Sequence, residues 1–319
     1  MGYEVSFKGA GMSGAALLAS ALLATPVALA DEEAYRAVRP ELFASSDADG
    51  SEVLRAGVGF DTWRRDREHW RGLKVEHARF AGEGWSANER RVYLRAAGTF
   101  GTGEVDDDTW RWRVSPGSNG DRLLGSAALN TEGPRRREVF VEREILETRQ
   151  GVDRGQVFTF LGAAVDQPVG EHGSLTGLVG LQDFDDGNLR THLRGTAVYA
   201  ARPEEGLSVQ LRTRWYRNSR PFQGDYFSPD WYAEAIPAIG WRRFHGGHMV
   251  NVVAGAGRQR NAGESWRQAR LLQVGYETPR WWRGILRVTA GYTDTPVATS
   301  DGQGSYSYRF VMLESVVPF

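Results

Sequence analysis

Arginine recurs at two- and four-residue spacings in this 319-residue chain, as Arg91 and Arg95, Arg111 and Arg113, Arg190 and Arg194, and Arg212 and Arg214. On an extended strand, side chains an even number of residues apart share a face, so each pair would contribute to a row of guanidinium groups. Glu142, Glu144 and Glu234 can answer such rows with carboxylates, and opposed Arg and Glu brace a wall through charge-assisted, often bidentate hydrogen bonds. A surplus of unpaired guanidinium does something else: it favours anions and disfavours cations along a pore. Tyr93, Tyr216 and Tyr232 interleave with these rows and offer flat rings on which sugars could stack.

Catalytic chemistry is poorly provided for. His245 and His248, in Phe-His-Gly-Gly-His, read as hairpin residues around Gly246-Gly247, because no carboxylate cluster accompanies them as a metal pair would need. Asp47-Ala48-Asp49-Gly50 starts like a calcium loop but lacks the later ligand positions. Asp106-Asp107-Asp108 and Asp185-Asp186-Gly187-Asn188 read as turns. A barrel-rim hydrolase needs a nucleophile or an activated water beside a base; His192 lies among arginines, and His69, His77 and His172 show no partner pattern. With no cysteine there is neither thiolate nor disulfide. The expectation is a non-enzyme without catalytic residues, metal or cofactor, with a membrane-barrel hydrolase as an alternative. A net charge of -1 argues against a nucleic-acid partner.

The elements that would position the arginine rows are strands. Segments of about ten residues alternate in polarity and are separated by Gly-, Asp-, Asn- or Pro-containing connections. They run over Leu54 to Arg64, His69 to Phe80, Arg90 to Gly101, Thr109 to Val114, Arg122 to Leu129, Arg137 to Thr148, Gln156 to Val165 and Ser174 to Gln182. They continue over Leu189 to Ala200, Leu207 to Arg217, Trp231 to Arg242, His248 to Arg258, Trp266 to Glu277, Trp281 to Thr293 and Tyr306 to Phe319. Single-chain bacterial barrels have an even number of strands, so an upward strand must precede Leu54; Tyr35 to Ala44 supplies it despite Pro40. The fold class is therefore all-β, a single antiparallel transmembrane barrel of sixteen strands, or fourteen if a weak segment is a loop.

Alternation also sets the register. Leu189, Leu193, Leu207 and Leu211 share faces suited to lipid, and Arg190, Arg194, Arg212 and Arg214 face the other way; likewise Val92 and Leu94 oppose Arg91, Tyr93 and Arg95. A lipid-facing Arg near the midplane costs roughly 2 to 4 kcal/mol, so a one-residue slip is strongly disfavoured. The mean hydropathy of -0.45 is compatible with this, because only every second residue of such a strand must be apolar. The 39 glycines and 11 tryptophans suit tight turns and interfacial girdles. The competing fold, a soluble sandwich or lipocalin-like barrel, would invert the alternation.

Residues 1–30 read as a secretory signal, with Lys8 before an apolar stretch from Ala15 to Leu23 and a small-residue site at Ala28-Leu29-Ala30, leaving 31–319 as the barrel. The last segment ends on the aromatic Phe319, with Val311, Leu313 and Val317 on one face, and reads as an assembly signal. The expected location is the outer membrane of a Gram-negative bacterium, and the expected partners are outer-membrane lipid and the barrel assembly machinery.

Asp225-Tyr226-Phe227-Ser228-Pro229-Asp230-Trp231-Tyr232, followed by Ala235-Ile236-Pro237, resembles an element of the C-terminal barrels of exopolysaccharide-export porins, those for poly-N-acetylglucosamine and bacterial cellulose. There a Tyr-Phe-Ser-Pro element, here Tyr226, Phe227, Ser228 and Pro229, leads from a long loop into a strand. Ser46-Asp47-Ala48-Asp49-Gly50 is similar to the Asp-Ser-Asp-Gly element that opens that domain. The resemblance implies a sixteen-stranded barrel that passes a nascent polysaccharide outward in company with periplasmic or inner-membrane synthase components. Those porins also carry tetratricopeptide repeats ahead of the barrel, and here few residues lie between Ala30 and the first strand. Their expected acidic lining also contrasts with the arginines of this chain, which fit a neutral or acidic glycan better. A general or anion-preferring diffusion porin is the alternative.

Overall fold

The computed structural model describes residues 4–5, 20–21, 34–101, 109–279, 284–294 and 307–319. The leader expected over residues 1–30 lies outside the described residues except for a two-residue pairing of Glu4–Val5 with Ser20–Ala21. Sixteen antiparallel strands close into one barrel. In chain order they are β1 (Tyr35–Asp47), β2 (Glu52–Arg64), β3 (Trp70–Gly82), β4 (Trp85–Phe100), β5 (Trp110–Ser118), β6 (Leu123–Thr131), β7 (Arg137–Ile145) and β8 (Val157–Val169). The second half comprises β9 (Gly173–Phe184), β10 (Leu189–Arg202), β11 (Leu207–Asn218), β12 (Trp231–His245), β13 (His248–Asn261), β14 (Arg267–Glu277), β15 (Ile285–Thr293) and β16 (Tyr308–Pro318). Each strand pairs with its sequence neighbours, and β16 closes on β1 through Val311 opposite Ala44 and Val317 opposite Val38.

The alternation read from the sequence is the one the barrel adopts. Leu94 is 67% exposed on the outer face of β4 while its neighbour Arg91 is 1% exposed inside. On β10, Leu193 is 46% exposed against 3% for Arg190. Val139, Leu161, Val179, Val209, Leu211, Ile239, Leu272 and Val311 continue the outer apolar belt around the cylinder. Phe60 and Phe319 meet on that surface with ring centroids 5.8 Å apart. In water such a belt would drive aggregation; against acyl chains it is the low-energy arrangement, and closure removes every unpaired strand edge. The polarity is opposite to that of a soluble sandwich. The protein is an outer-membrane β-barrel.

Strand prolines mark where the ladder gives way. Pro40, Pro116 and Pro237 lack the N–H that a ladder rung needs. Pairing skips two residues between Glu41 and Val38 in β1–β16, between Val114 and Gly117 in β4–β5, and between Ala235 and Ala238 in β12–β13, and resumes in the same register. Each gap passes over one of the three prolines. This is how Tyr35 to Ala44 serves as the first strand in spite of Pro40.

Several expected boundaries differ: β4 starts five residues before Arg90, β5 runs four past Val114 and β8 four past Val165. The strand expected to run from Arg137 to Thr148 ends at Ile145, because Leu146 turns inward and Thr148 caps a six-residue helix, α1 (Arg149–Arg154). Of the segment expected from Trp281, residues 281–283 lie outside the described residues, and β15 is described from Ile285. Strand β1 starts and β16 finishes at one end of the barrel, as does the short Gly246-Gly247 turn between His245 and His248. The longest connections, including 146–156 and 219–230, lie at the opposite end, which marks that end as extracellular and the other as periplasmic.

Candidate functional site

The inner face is divided into two walls of different electrical character. On the first, built from β1 to β4 and β7, the cations described here meet acids. Arg91 reaches Glu89 at 2.9 Å, Glu76 at 3.4 Å and Glu144, three strands away on β7, at 3.1 Å. Lys74 lies 2.7 Å from Glu76 and 3.0 Å from Glu41, and Arg95 donates to the same Glu41 at 2.8 Å. Arg39 sits between Glu41 and Asp61 at 3.8 and 3.9 Å. On β5, Arg111 pairs with Glu68 and Glu132, and Arg113 follows it on the same face. Removing one partner from such a buried set leaves a charge without compensation, at about 3–5 kcal/mol. This wall is the Arg–Glu bracing anticipated from the sequence, although the pairing of β4 with β7 needs the folded barrel to be visible.

The second wall, on β10 to β12, is short of acid. Arg214 pairs with Glu234 at 3.2 Å. Arg194 lies directly across the ladder from Arg214, an unfavourable juxtaposition of like charges, and its Nε is buried without a hydrogen-bond partner. Arg212 donates to the amide oxygens of Gln210 at 3.2 Å and Gln273 at 2.9 Å. Arg190 donates to Asn218 Oδ1 at 2.8 Å and to the Phe227 carbonyl at 2.5 Å, with its guanidinium 4.7 Å from the Tyr216 ring centre. Among the described residues, Arg190, Arg194 and Arg212 have no carboxylate within ion-pair distance.

The tyrosines are engaged otherwise than as sugar platforms. Tyr216 and Tyr232 stack on each other at 5.0 Å, Arg190 covers Tyr216 and Arg214 covers Tyr232. Tyr93 carries Lys74 over its ring at 5.4 Å. In each case the ring face holds a cation in place. His192 bonds through Nε2 to Gln182 at 3.1 Å and stands edge-on to Phe160. His248 bonds to the Tyr276 hydroxyl at 2.8 Å.

A stopper crosses the extracellular mouth. The connection from β7 to β8 folds inward through Leu146 and Glu147 into α1, capped by Thr148, whose Oγ1 accepts from the Gly151 amide at 3.1 Å, and by left-handed Gly155. Val152 of α1 packs against a cluster of Phe43, Val53, Ala78, Phe80 and Phe310, from β1, β2, β3 and β16, and also against Tyr93, Leu124, Ile145 and Val157. Val152 belongs to the connection between β7 and β8, so its packing against a cluster drawn from β1, β2, β3 and β16 carries it inward from its own wall. Glu147 likewise reaches Arg55 on β2 at 3.4 Å.

The loop carrying the Tyr-Phe-Ser-Pro element holds this stopper down. Asp225 Oδ1 accepts from the Thr148 hydroxyl at 2.5 Å and Oδ2 from the Gln150 amide at 2.6 Å, so a carboxylate from one loop caps the helix of another. Tyr226 packs with Leu146, Phe158 and Phe184. Its hydroxyl donates to Asp186 at 2.8 Å and accepts from Asn188 at 3.0 Å; burial first, and the Asp186 carboxylate, push that phenol above its ordinary range. Phe227 packs on Tyr216 and Tyr232, Ser228 donates to the Gln223 carbonyl, and the Pro229 carbonyl accepts from Asn218. The element is thus an inward-folded latch. Thr148, Glu147 and Val152 were missed by sequence reading; Thr148 with Gly155 seven residues on is a cap frame that carried the signal.

No family model and no curated sequence matches this chain. Among solved structures it is similar to one described as a bacterial polysaccharide outer membrane secretin, at a TM-score of 0.60 and 14% identity over 88% of this chain and 98% of that one. It is also similar to OccK5 (OpdH) of Pseudomonas aeruginosa, at a TM-score of 0.43 and 10% identity over 90% and 98%. OmpT of Vibrio cholerae gives a TM-score of 0.41 and 9% identity over 90% and 99%. The first of these likenesses supports the barrel fold.

Proposed function

We propose that the protein is an outer-membrane channel for export of an extracellular polysaccharide, held shut at its outer mouth until the polymer arrives. The observation that carries this reading is the stopper: the connection between β7 and β8 reaches Arg55 on β2 through Glu147, and its helix α1 is fastened by Asp225. A pore for general diffusion gains nothing from an obstruction with two apolar sockets and a helix cap in trans, whereas a conduit used only during synthesis must otherwise stay closed to solutes. The polysaccharide secretin similarity and the Tyr226–Pro229 element support the same reading. In this account the barrel is delivered by the assembly machinery and receives its polymer from periplasmic or inner-membrane synthase components. An anion-preferring diffusion porin is the second reading, favoured by Arg190, Arg194 and Arg212 on the acid-poor wall.

Planar-bilayer recording separates the two. The export channel should be closed for most of the record and open in brief events; steady conductance from the moment of insertion would refute export in favour of the porin.

A further inference from the structure

We infer that the second wall is a binding site for the carboxylate groups of an acidic sugar chain, with Arg194 and Arg212 as its cations; this rests on the channel reading and names its cargo class. The two walls sit in one lumen and differ in how they treat cations. On the first, Arg91, Arg95, Lys74 and Arg39 each meet at least one acid. On the second, Glu234 is engaged by Arg214 and by the Tyr232 hydroxyl at 2.7 Å, leaving Arg194 unpartnered beside a like charge. Arg194 is half-buried rather than withdrawn from water, with only its Nε buried and unsatisfied, so its guanidinium is within reach of an anion in the lumen. What sets this wall apart is the absence of an ion-paired carboxylate at Arg194 and Arg212 among the described residues.

Arg212 is held differently and to the same end. The amide oxygens of Gln210 and Gln273 orient its guanidinium without neutralising it. Arg212 and Arg214 are successive inward positions on β11, about 7 Å apart along the strand, and Arg194 stands beside them on β10. Toward the periplasmic end the next inward positions carry no charge, being Thr196 and Val198 on β10, Gln210 and Ser208 on β11, and Ala238 and Gly240 on β12. A polymer entering from that end would meet the guanidinium group before the stopper. A planar guanidinium matches a carboxylate through two parallel hydrogen bonds, and the Tyr216 and Tyr232 faces are already covered, so charge rather than stacking would hold the chain.

The test is titration calorimetry on the purified full-length barrel in detergent, using tetragalacturonate, uncharged cellotetraose and acetate as probes. Binding needs no open mouth, so its failure is separate from failure of the conductance test. Tetragalacturonate should bind and weaken at least tenfold between 50 and 500 mM NaCl, while cellotetraose and acetate should not bind measurably at the same concentrations. The Arg194→Gln/Arg212→Gln double variant should lose at least tenfold in affinity, Arg194→Lys/Arg212→Lys less, and Lys74→Gln on the opposite wall should change little. Equal binding of acidic and neutral tetramers, acetate binding as well as the tetramer, or an unchanged double variant would each overturn the proposal. If the double variant does not fold, salt-independent binding to the unsubstituted protein refutes it equally.

Discussion

Replacing Asp225 by Ala should unfasten the stopper. The carboxylate accepts two short hydrogen bonds, from the Thr148 hydroxyl and the Gln150 amide, and bonds to a charged group contribute about 1.5–3 kcal/mol each. Its charge at the start of α1 adds about 0.3–1 kcal/mol from the helix dipole. Water can re-solvate the exposed Gln150 amide once the carboxylate is gone, so the net loss is nearer about 2–4 kcal/mol. At 1.4 kcal/mol per decade, that raises the ratio of open to closed mouth by roughly 30- to 1,000-fold. Single-channel recording in planar bilayers reads the ratio directly as open probability. Asp225→Asn, which keeps one acceptor oxygen, should fall between the parent and the Ala variant. Trypsin cleavage after Arg149 or Arg154 should rise in the same order. Unchanged open probability together with unchanged cleavage in Asp225→Ala would refute the latch, because no second carboxylate is described at the Thr148 cap.

Leu193→Arg, on the outer belt, should destabilise the barrel by roughly 2 to 4 kcal/mol if it lies near the midplane; a negligible change on refolding into lipid would count against its lipid-facing position. Arg91→Met should cost about 3–5 kcal/mol, since it strands Glu144 inside the ion-paired wall while Glu76 keeps Lys74, and denaturant titration in detergent measures it. At the periplasmic turn, burial alone would raise the Asp66 carboxyl, but hydrogen bonds from the Glu68 and His69 amides and the His69 ring hold it below its ordinary value. A depressed carboxyl stabilises the fold above the unfolded value of about 3.9 and loses that contribution as the pH falls through the folded value. The thermal midpoint of Asp66→Asn should therefore lie below the parent's at pH 7 and converge with it in strong acid; a gap that persists there would contradict the assignment.

The strands were legible because a membrane barrel writes its register into every second residue, as in Leu189, Leu193 and Arg190. An even strand count then recovered Tyr35 to Ala44. What remained hidden was long-range. Six residues from Arg149 to Arg154 are too few for a helical period to show, and nothing local announces that Glu147 will meet Arg55 on β2. The arginine rows were visible as rows, but whether each guanidinium finds an acid depends on neighbours three strands away, such as Glu144 for Arg91. The tyrosine faces, open on paper, are filled only when Arg190 and Arg214 fold over them.

The three gaps in the ladder at Pro40, Pro116 and Pro237 bear on the mechanics of the cylinder. Lateral hydrogen bonds are what make a barrel wall resist ovalisation, and here they are interrupted along the β16–β1, β4–β5 and β12–β13 seams. Each gap is two residues long within a seam that is paired on either side, so the wall is softest at three points, and any departure of the cross-section from round should begin there.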